Sequence, residues 1–260
     1  STYWLPVPLP PLQPPPASPP PSPPPQTAEM VADRLNKRFR AGKPSNVLAE
    51  TGVLLRQFDA EQSQSKEWLP CPPTGAFCSR LADRWSASII NSNVTQIFSD
   101  RPGFVLAPTH TAAEALLCAY PGDGGTMRAD KLCVPPRVER GICMPGCSGS
   151  GDANWCPGES RWWGCNGYPA DRLDQMLRVN EQLQKYNEIV LDVQALVKQW
   201  PVGIEAVVFI KDSLNWPPSV ASDVHRRLLV EYGAEAATIP LLQLTLTGGG
   251  AEPPFSVPNR

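Results

Sequence analysis

Ile204-Glu205-Ala206-Val207-Val208-Phe209-Ile210 is a nearly continuous apolar run, interrupted by one carboxylate. A run of this length and texture predicts a central strand covered on both faces. Upstream, Ile189, Leu191 and Val193 alternate with Glu188 and Asp192, which predicts a half-buried strand. Residues 194–200 between them read as a short helix or turn closed by Pro201. Downstream, residues 219–232 place Val220, Val224, Leu228 and Leu229 inward on a helix. Residues 239–247 then set Leu242, Leu244 and Leu246 on one face of a last strand. Strand, crossover, strand, helix, strand predicts a small mixed sheet of three or four strands with helices packed on it, an α+β body.

The helix before this unit is predicted from Ala170 to about Gln184. Pro169 starts it, and Leu173, Met176, Leu177 and Leu183 form its core stripe. At the other end of the body, Thr27 is placed to cap a helix running to about Ala41. Val31, Leu35 and Phe39 make its apolar stripe, while Arg34, Lys37, Arg38 and Arg40 read as a solvated cationic face. Gly42-Lys43-Pro44 ends it. Ser45 is then expected to cap a second helix to about Phe58, with Val47, Leu48, Leu54, Leu55 and Phe58 inward. Leu81 to Trp85 reads as a helical turn. Residues 88–90, 95–98 and 104–107 read as short strands, and 112–120 is ambiguous between helix and strand.

The middle of the chain has a different texture. Cys71 and Cys78 are spaced for a local loop, and Cys118, Cys133, Cys143, Cys147, Cys156 and Cys165 follow among Gly, Pro and Ser. Such a segment buries too little apolar area to order itself, so covalent staples are expected, each contributing about 2–4 kcal/mol. Trp155, Trp162 and Trp163 would pack over the sulfurs. Zinc is the rival, since Cys143 and Cys147 have tolerable spacing. But no Cys-x2-Cys pair occurs, and the histidines are only His110 and His225. The eight cysteines are therefore read as fully paired, with no metal and no cofactor.

Residues 5–25 hold 13 prolines, in the runs Pro14-Pro15-Pro16, Pro19-Pro20-Pro21 and Pro23-Pro24-Pro25. Proline fixes φ and lacks an amide donor, so the stretch defaults to polyproline II and spans about 65 Å. Tyr3 and Trp4 stand at its tip as aromatic anchors for a neighbouring subunit, or fold back on their own domain. The organisation expected is a proline arm over 1–26, a helical segment over 27–68, a cysteine-rich region over 69–168 and an α/β region over 169–260.

With a net charge of −2, nothing argues for nucleic acid or an anionic membrane, and no nucleic-acid partner is expected. No apolar run reaches the ~18 residues of a membrane span. The chain opens on Ser1, read as a mature end after removal of a signal peptide. Asn93-Val94-Thr95 is the single N-glycosylation sequon. With the even cysteine count, these features predict a secreted protein.

The Ser-Pro-Pro-Pro repeats around Ser18 and Ser22 resemble the hydroxyproline-rich, extensin-like glycoproteins of plant and green-algal walls. That resemblance implies hydroxylation and O-glycosylation of Pro14, Pro15, Pro16, Pro19, Pro20, Pro21, Pro23, Pro24 and Pro25. A bare spacer or an SH3/WW ligand is the alternative reading of the same composition. Cys143-Met144-Pro145-Gly146-Cys147, Tyr186-Asn187-Glu188-Ile189-Val190-Leu191-Asp192 and the run at 204–209 are similar to uncharacterised secreted proteins of green algae. The similarity bears on origin and compartment and implies no reaction.

No nucleophile elbow, phosphate loop, dinucleotide fingerprint or His-Glu-x2-His motif is present, and no catalytic residue is assigned. Glu188 and Asp192 share a strand face, with Glu205 expected on the next strand, so a glycosidase-like carboxylate set is the competing idea. The leading expectation is a secreted structural glycoprotein of an extracellular fibre or wall, self-assembling through its arm into a helical filament by a repeated head-to-tail contact. The alternative is a wall-tethered carbohydrate-binding protein or carbohydrate-active enzyme, for which Glu188 and Trp162 would be the residues to mutate.

Overall fold

The computed structural model describes residues 26–58, 84–97, 99–122, 168–184, 186–192, 203–246 and 253–258. Tyr3, Trp4, the arm prolines and every cysteine except Cys118 lie outside them, as do residues 194–200.

The body is mixed helix and sheet. Its strands are β1 (Val53–Gln57), β2 (Arg84–Ile90), β3 (Gly103–Leu106), β4 (Leu116–Tyr120), β5 (Tyr168–Pro169), β6 (Glu188–Asp192), β7 (Ile204–Ile210), β8 (Leu241–Leu244) and β9 (Phe255–Ser256). Among the described residues they form one nine-stranded sheet in the order β5-β4-β6-β2-β1-β3-β7-β8-β9. All neighbours are antiparallel except β7 and β8, which are parallel. The sheet is thus far wider than the three or four strands expected. β6 and β7, expected to be neighbours, are separated by β2, β1 and β3.

Among the described residues four helices accompany the sheet: α1 (Ala28–Ala41), α2 (His110–Ala115), α3 (Leu173–Leu183) and α4 (Pro218–Tyr232). Both faces of the sheet are covered. On one face Val31, Leu35 and Phe39 of α1 pack on Val53, Leu55, Val105, Ala206, Val208 and Leu242. On the other, Leu173 and Met176 of α3 and Val224 and Leu228 of α4 join Leu54, Ile89, Phe104, Ile189, Val207 and Phe209. Adjacent residues of β1 and β7 thus enter opposite cores, which accounts for the unbroken apolar run in β7. Leu229 was expected inward; it is 37% exposed, and Ala221 fills the helix face instead.

The first helix follows its sequence signals. Thr27 Oγ1 accepts from Met30 N, and Val31, Leu35 and Phe39 are all buried. The second predicted helix does not form. A single 3-10 turn, Leu48–Glu50, is closed by Thr51 Oγ1 donating to Leu48 O, and β1 follows. Between them Gly52 takes φ +130 and lies so close to β2 that an added Cβ would sit 2.3 Å from Ile90 O. Neither that φ nor that contact is compatible with a continuing helix, so the segment turns into the sheet. Of the helical turn expected at Leu81 to Trp85, Arg84 and Trp85 belong to β2, and the rest lies outside the described residues. The ambiguous stretch 112–120 is both: α2 ends at Ala115 and β4 begins at Leu116.

Two buried asparagines complete the hydrogen bonding. Asn36, on α1, donates to Phe255 O at 2.8 Å and accepts from Phe255 N at 2.9 Å. It therefore covers the outward backbone groups of the short edge strand β9, a protected edge. Asn187 does the same for Ile89 of β2, accepting from N at 2.8 Å and donating to O at 2.7 Å. It also donates to Asn180 Oδ1, and Asn180 donates to Pro121 O. Replacing Asn187 by alanine strands the Ile89 amide and carbonyl in a dry environment. Urea unfolding is expected to show a loss of about 3 kcal/mol; a loss below about 1 kcal/mol would show that these bonds are not needed.

Candidate functional site

Three places hold the side chains of functional interest. The first is the sequon. After β2, Asn91 and Val94 exchange backbone hydrogen bonds, and buried Asn91 Oδ1 accepts from the backbone N of Asn93 and of Val94. Asn91 Nδ2 in turn donates to Thr51 O at 2.9 Å. This self-bonded turn holds Asn93 outward, with its side chain exposed and donating to Glu181 Oε1 at 3.1 Å. Gln184, in the left-handed region at φ 49, donates to Asn93 O and braces the turn from the end of α3. The sequon asparagine is therefore presented on a fixed tip of the body.

The second is the carboxylate set. Glu188 is buried on β6 and accepts a hydrogen bond from Ser86 Oγ. Asp192 lies at the other end of the same strand, about 13 Å along it at strand rise. Glu205 is four strand positions away, roughly 19 Å across the sheet. It accepts from Arg34 Nε at 3.2 Å and from Arg38 Nη2. A pair of glycosidase carboxyls needs about 5–9.5 Å between members. The structure does not bring these three together, because β2, β1 and β3 intervene.

Glu205 owes its position to a bulge. Val105 pairs with Ala206 and Leu106 with Ile204, so Glu205 is the extra residue of β7. The bulge turns its carboxylate towards the face on which α1 lies. Arg38, expected on a solvated cationic face, is consequently 12% exposed at the side chain, and Glu205 is 10% exposed. Only Lys37 and Arg40 of the four predicted surface cations stay exposed.

The third is a crevice of about 410 Å³ beyond the carboxyl ends of the parallel strands β7 and β8. Ser99, Asp100, Asp212 and Thr245 contribute polar groups to it, and Ile97, Ile210 and Leu246 apolar ones. Asp100 Oδ2 accepts from Ser213 Oγ at 2.8 Å, and Ser213 Oγ accepts from Trp216 N at 3.0 Å. The Arg101 guanidinium lies 5.7 Å from the centre of the Trp216 ring. Asp212 adopts φ 59, in the left-handed region, to turn the chain here. Sequence reading missed this cluster, because Asp100 and Ser213 are far apart in the chain and join only through the β3–β7 pairing.

Cys118 is the one cysteine among the described residues; it is fully buried on β4 and disulfide-bonded. No described helix is long and apolar enough to cross a membrane. No family model matches the chain, and no curated protein matches it either.

The Ser213 hydroxyl, chiefly, holds the Asp100 carboxyl below its ordinary value of 3.8, against a smaller opposing effect of desolvation. A depressed folded value stabilises the protein above the ordinary Asp range and is lost as pH falls through the folded value. The stability gap between wild type and Asp100→Asn should therefore be present at neutral pH and close on acidification to about pH 2. A gap unchanged over that range, followed by urea unfolding, would rule out the assigned bond.

Proposed function

We propose that this chain is a secreted structural glycoprotein, a subunit of an extracellular fibre or wall assembly in which the proline arm of one copy docks on the next. The observation that carries the reading is the sequon. Asn93-Val94-Thr95 falls on an exposed, internally bonded turn, where an acceptor asparagine is reachable without disturbing the core. The hydroxyproline-rich resemblance of residues 14–25 and the buried, bridged Cys118 agree with an extracellular setting. Assembly through strand addition is disfavoured, since among the described residues both outer strands of the sheet are two residues long and Asn36 occupies the outward groups of Phe255. The arm is the route to association that this reading takes, and repeated head-to-tail docking propagates into a filament.

The carbohydrate-binding alternative has one observation in its favour. The crevice at the carboxyl ends of β7 and β8 occupies the position where open sheets with parallel strands take ligands. Under that reading a wall polysaccharide would bind, and Asp100→Ala would abolish binding.

Truncation separates the two. The full chain and residues 27–260 are compared by light scattering and negative-stain microscopy. The structural reading expects a folded, monomeric truncated body and an assembling full chain. Equal assembly by both, or a full chain that remains monomeric at high concentration when correctly modified, would refute it.

A further inference from the structure

We propose that the groove between α1 and the last strand is the receptor for the arm, and that it takes residues 5–12 of a second copy; this rests on the arm-driven assembly just described. The groove has a volume of about 430 Å³ and is bounded on one side by Glu29, Asp33, Lys37 and Arg40, with the two carboxylates towards the start of α1 and the two cations towards its end, and on the other by Pro253, Phe255, Ser256 and Val257. The stretch of α1 along it, residues 29–40, is about 17 Å long. Five or six residues of polyproline II fill that length at about 3.1 Å per residue, so the eight residues 5–12, about 25 Å long, fill it and extend past one end.

The chemistry of the two partners matches. Residues 1–25 contain no charged side chain, and those at 5–12 read Leu-Pro-Val-Pro-Leu-Pro-Pro-Leu. Four of those eight residues are prolines, so the segment is rich in carbonyl acceptors and poor in amide donors. The side chains of Lys37 and Arg40 are exposed donors and make no ion pair or hydrogen bond among the described residues. Val257, 37% exposed, gives the aliphatic side chains of the segment an apolar wall. Insertion as an added strand is closed off, because Asn36 already holds both backbone groups of Phe255. Residues 5–12 also precede the contiguous runs for which the wall-protein resemblance implies glycans, so no sugar need enter the groove.

The occupant is a second copy for a geometric reason. Thr27 has φ −80 and ψ 161, close to polyproline dihedrals, so the chain enters α1 from an extended direction. Gln26 Oε1 accepts from Arg34 Nη1 at 2.6 Å, which fixes that entry. The stretch that joins residues 5–12 to α1 is dominated by the proline runs 14–16, 19–21 and 23–25, whose fixed φ favours an extended rod that carries residues 5–12 away from their own body.

The test uses the full chain carrying Lys37→Glu and Arg40→Glu, with Lys37→Ala and Arg40→Ala as a second pair. Circular dichroism checks that α1 is intact, as both side chains are exposed. Sedimentation velocity is expected to show the concentration needed for assembly raised at least about tenfold, the loss of two charge-assisted bonds. Assembly at the wild-type concentration in both variants overturns the groove assignment while leaving arm-driven assembly standing. A synthetic peptide of residues 5–12 provides the independent readout. It should bind the wild-type chain, or dissolve its assemblies, and fail on the charge-reversed variant. If wild type does not assemble, the assembly reading falls, and peptide binding that is indifferent to the two substitutions, or absent, removes the groove as well.

Discussion

Glu205 meeting Arg34 and Arg38 is the contact on which the arrangement of the N-terminal half depends. A strand buried on both faces has no place for a carboxylate, and β7 carries one near its start. The bulge opposite Val105 and Leu106 resolves the conflict by turning Glu205 to the α1 face, where two guanidinium groups receive it. The energy of docking α1 comes mainly from elsewhere: Val31, Leu35 and Phe39 each contribute roughly 1.5–3 kcal/mol by burial. The ion pair is less favourable than it looks, since Arg38 Nε is buried without a partner and desolvation offsets much of the attraction. Its role is to fix register. An apolar stripe can slide or rotate on a sheet; one carboxylate held by two arginines cannot.

The consequences run outward from that register. With α1 fixed, Asn36 reaches Phe255 and closes the sheet edge. Arg34 reaches Gln26 and fixes where the arm leaves the body. Lys37 and Arg40 are left facing solvent beside β9, which forms the groove. The four cations of α1 are thus divided by the position of Glu205 into two that pair with it and two that line the groove.

Local signals in the sequence were legible where one element supplied its own pattern. The Thr27 cap, the stripe of α1, the helix after Pro169 and the buried strand at Ile204–Ile210 all appear as expected, and the strand-helix-strand order of 204–244 survives as the parallel β7–α4–β8 unit. Failures came where distant residues decide. Leu54 and Leu55 suit either a helix or a two-faced strand; what excludes the helix is the approach of Gly52 to Ile90, which no local pattern encodes. The sheet is wider than the local pattern suggests because β1 reads equally as a helix and the pairing partners of β1, β2 and β3 lie far away in the chain. The same cause hid Asn187 and Asn180, whose amides act as strand partners. It also misplaced Glu205 beside Glu188, since adjacency in sequence does not set order in a sheet with three intervening strands.

The central claim is that copies of this chain associate through the arm and not through their bodies. Electron cryomicroscopy of assemblies formed by the full, natively modified chain tests it most directly. The account predicts continuous density from Gln26 of one copy into the α1–β9 groove of the next. Bodies in direct contact with no arm between them, or arms lying on the copy they belong to, would contradict it.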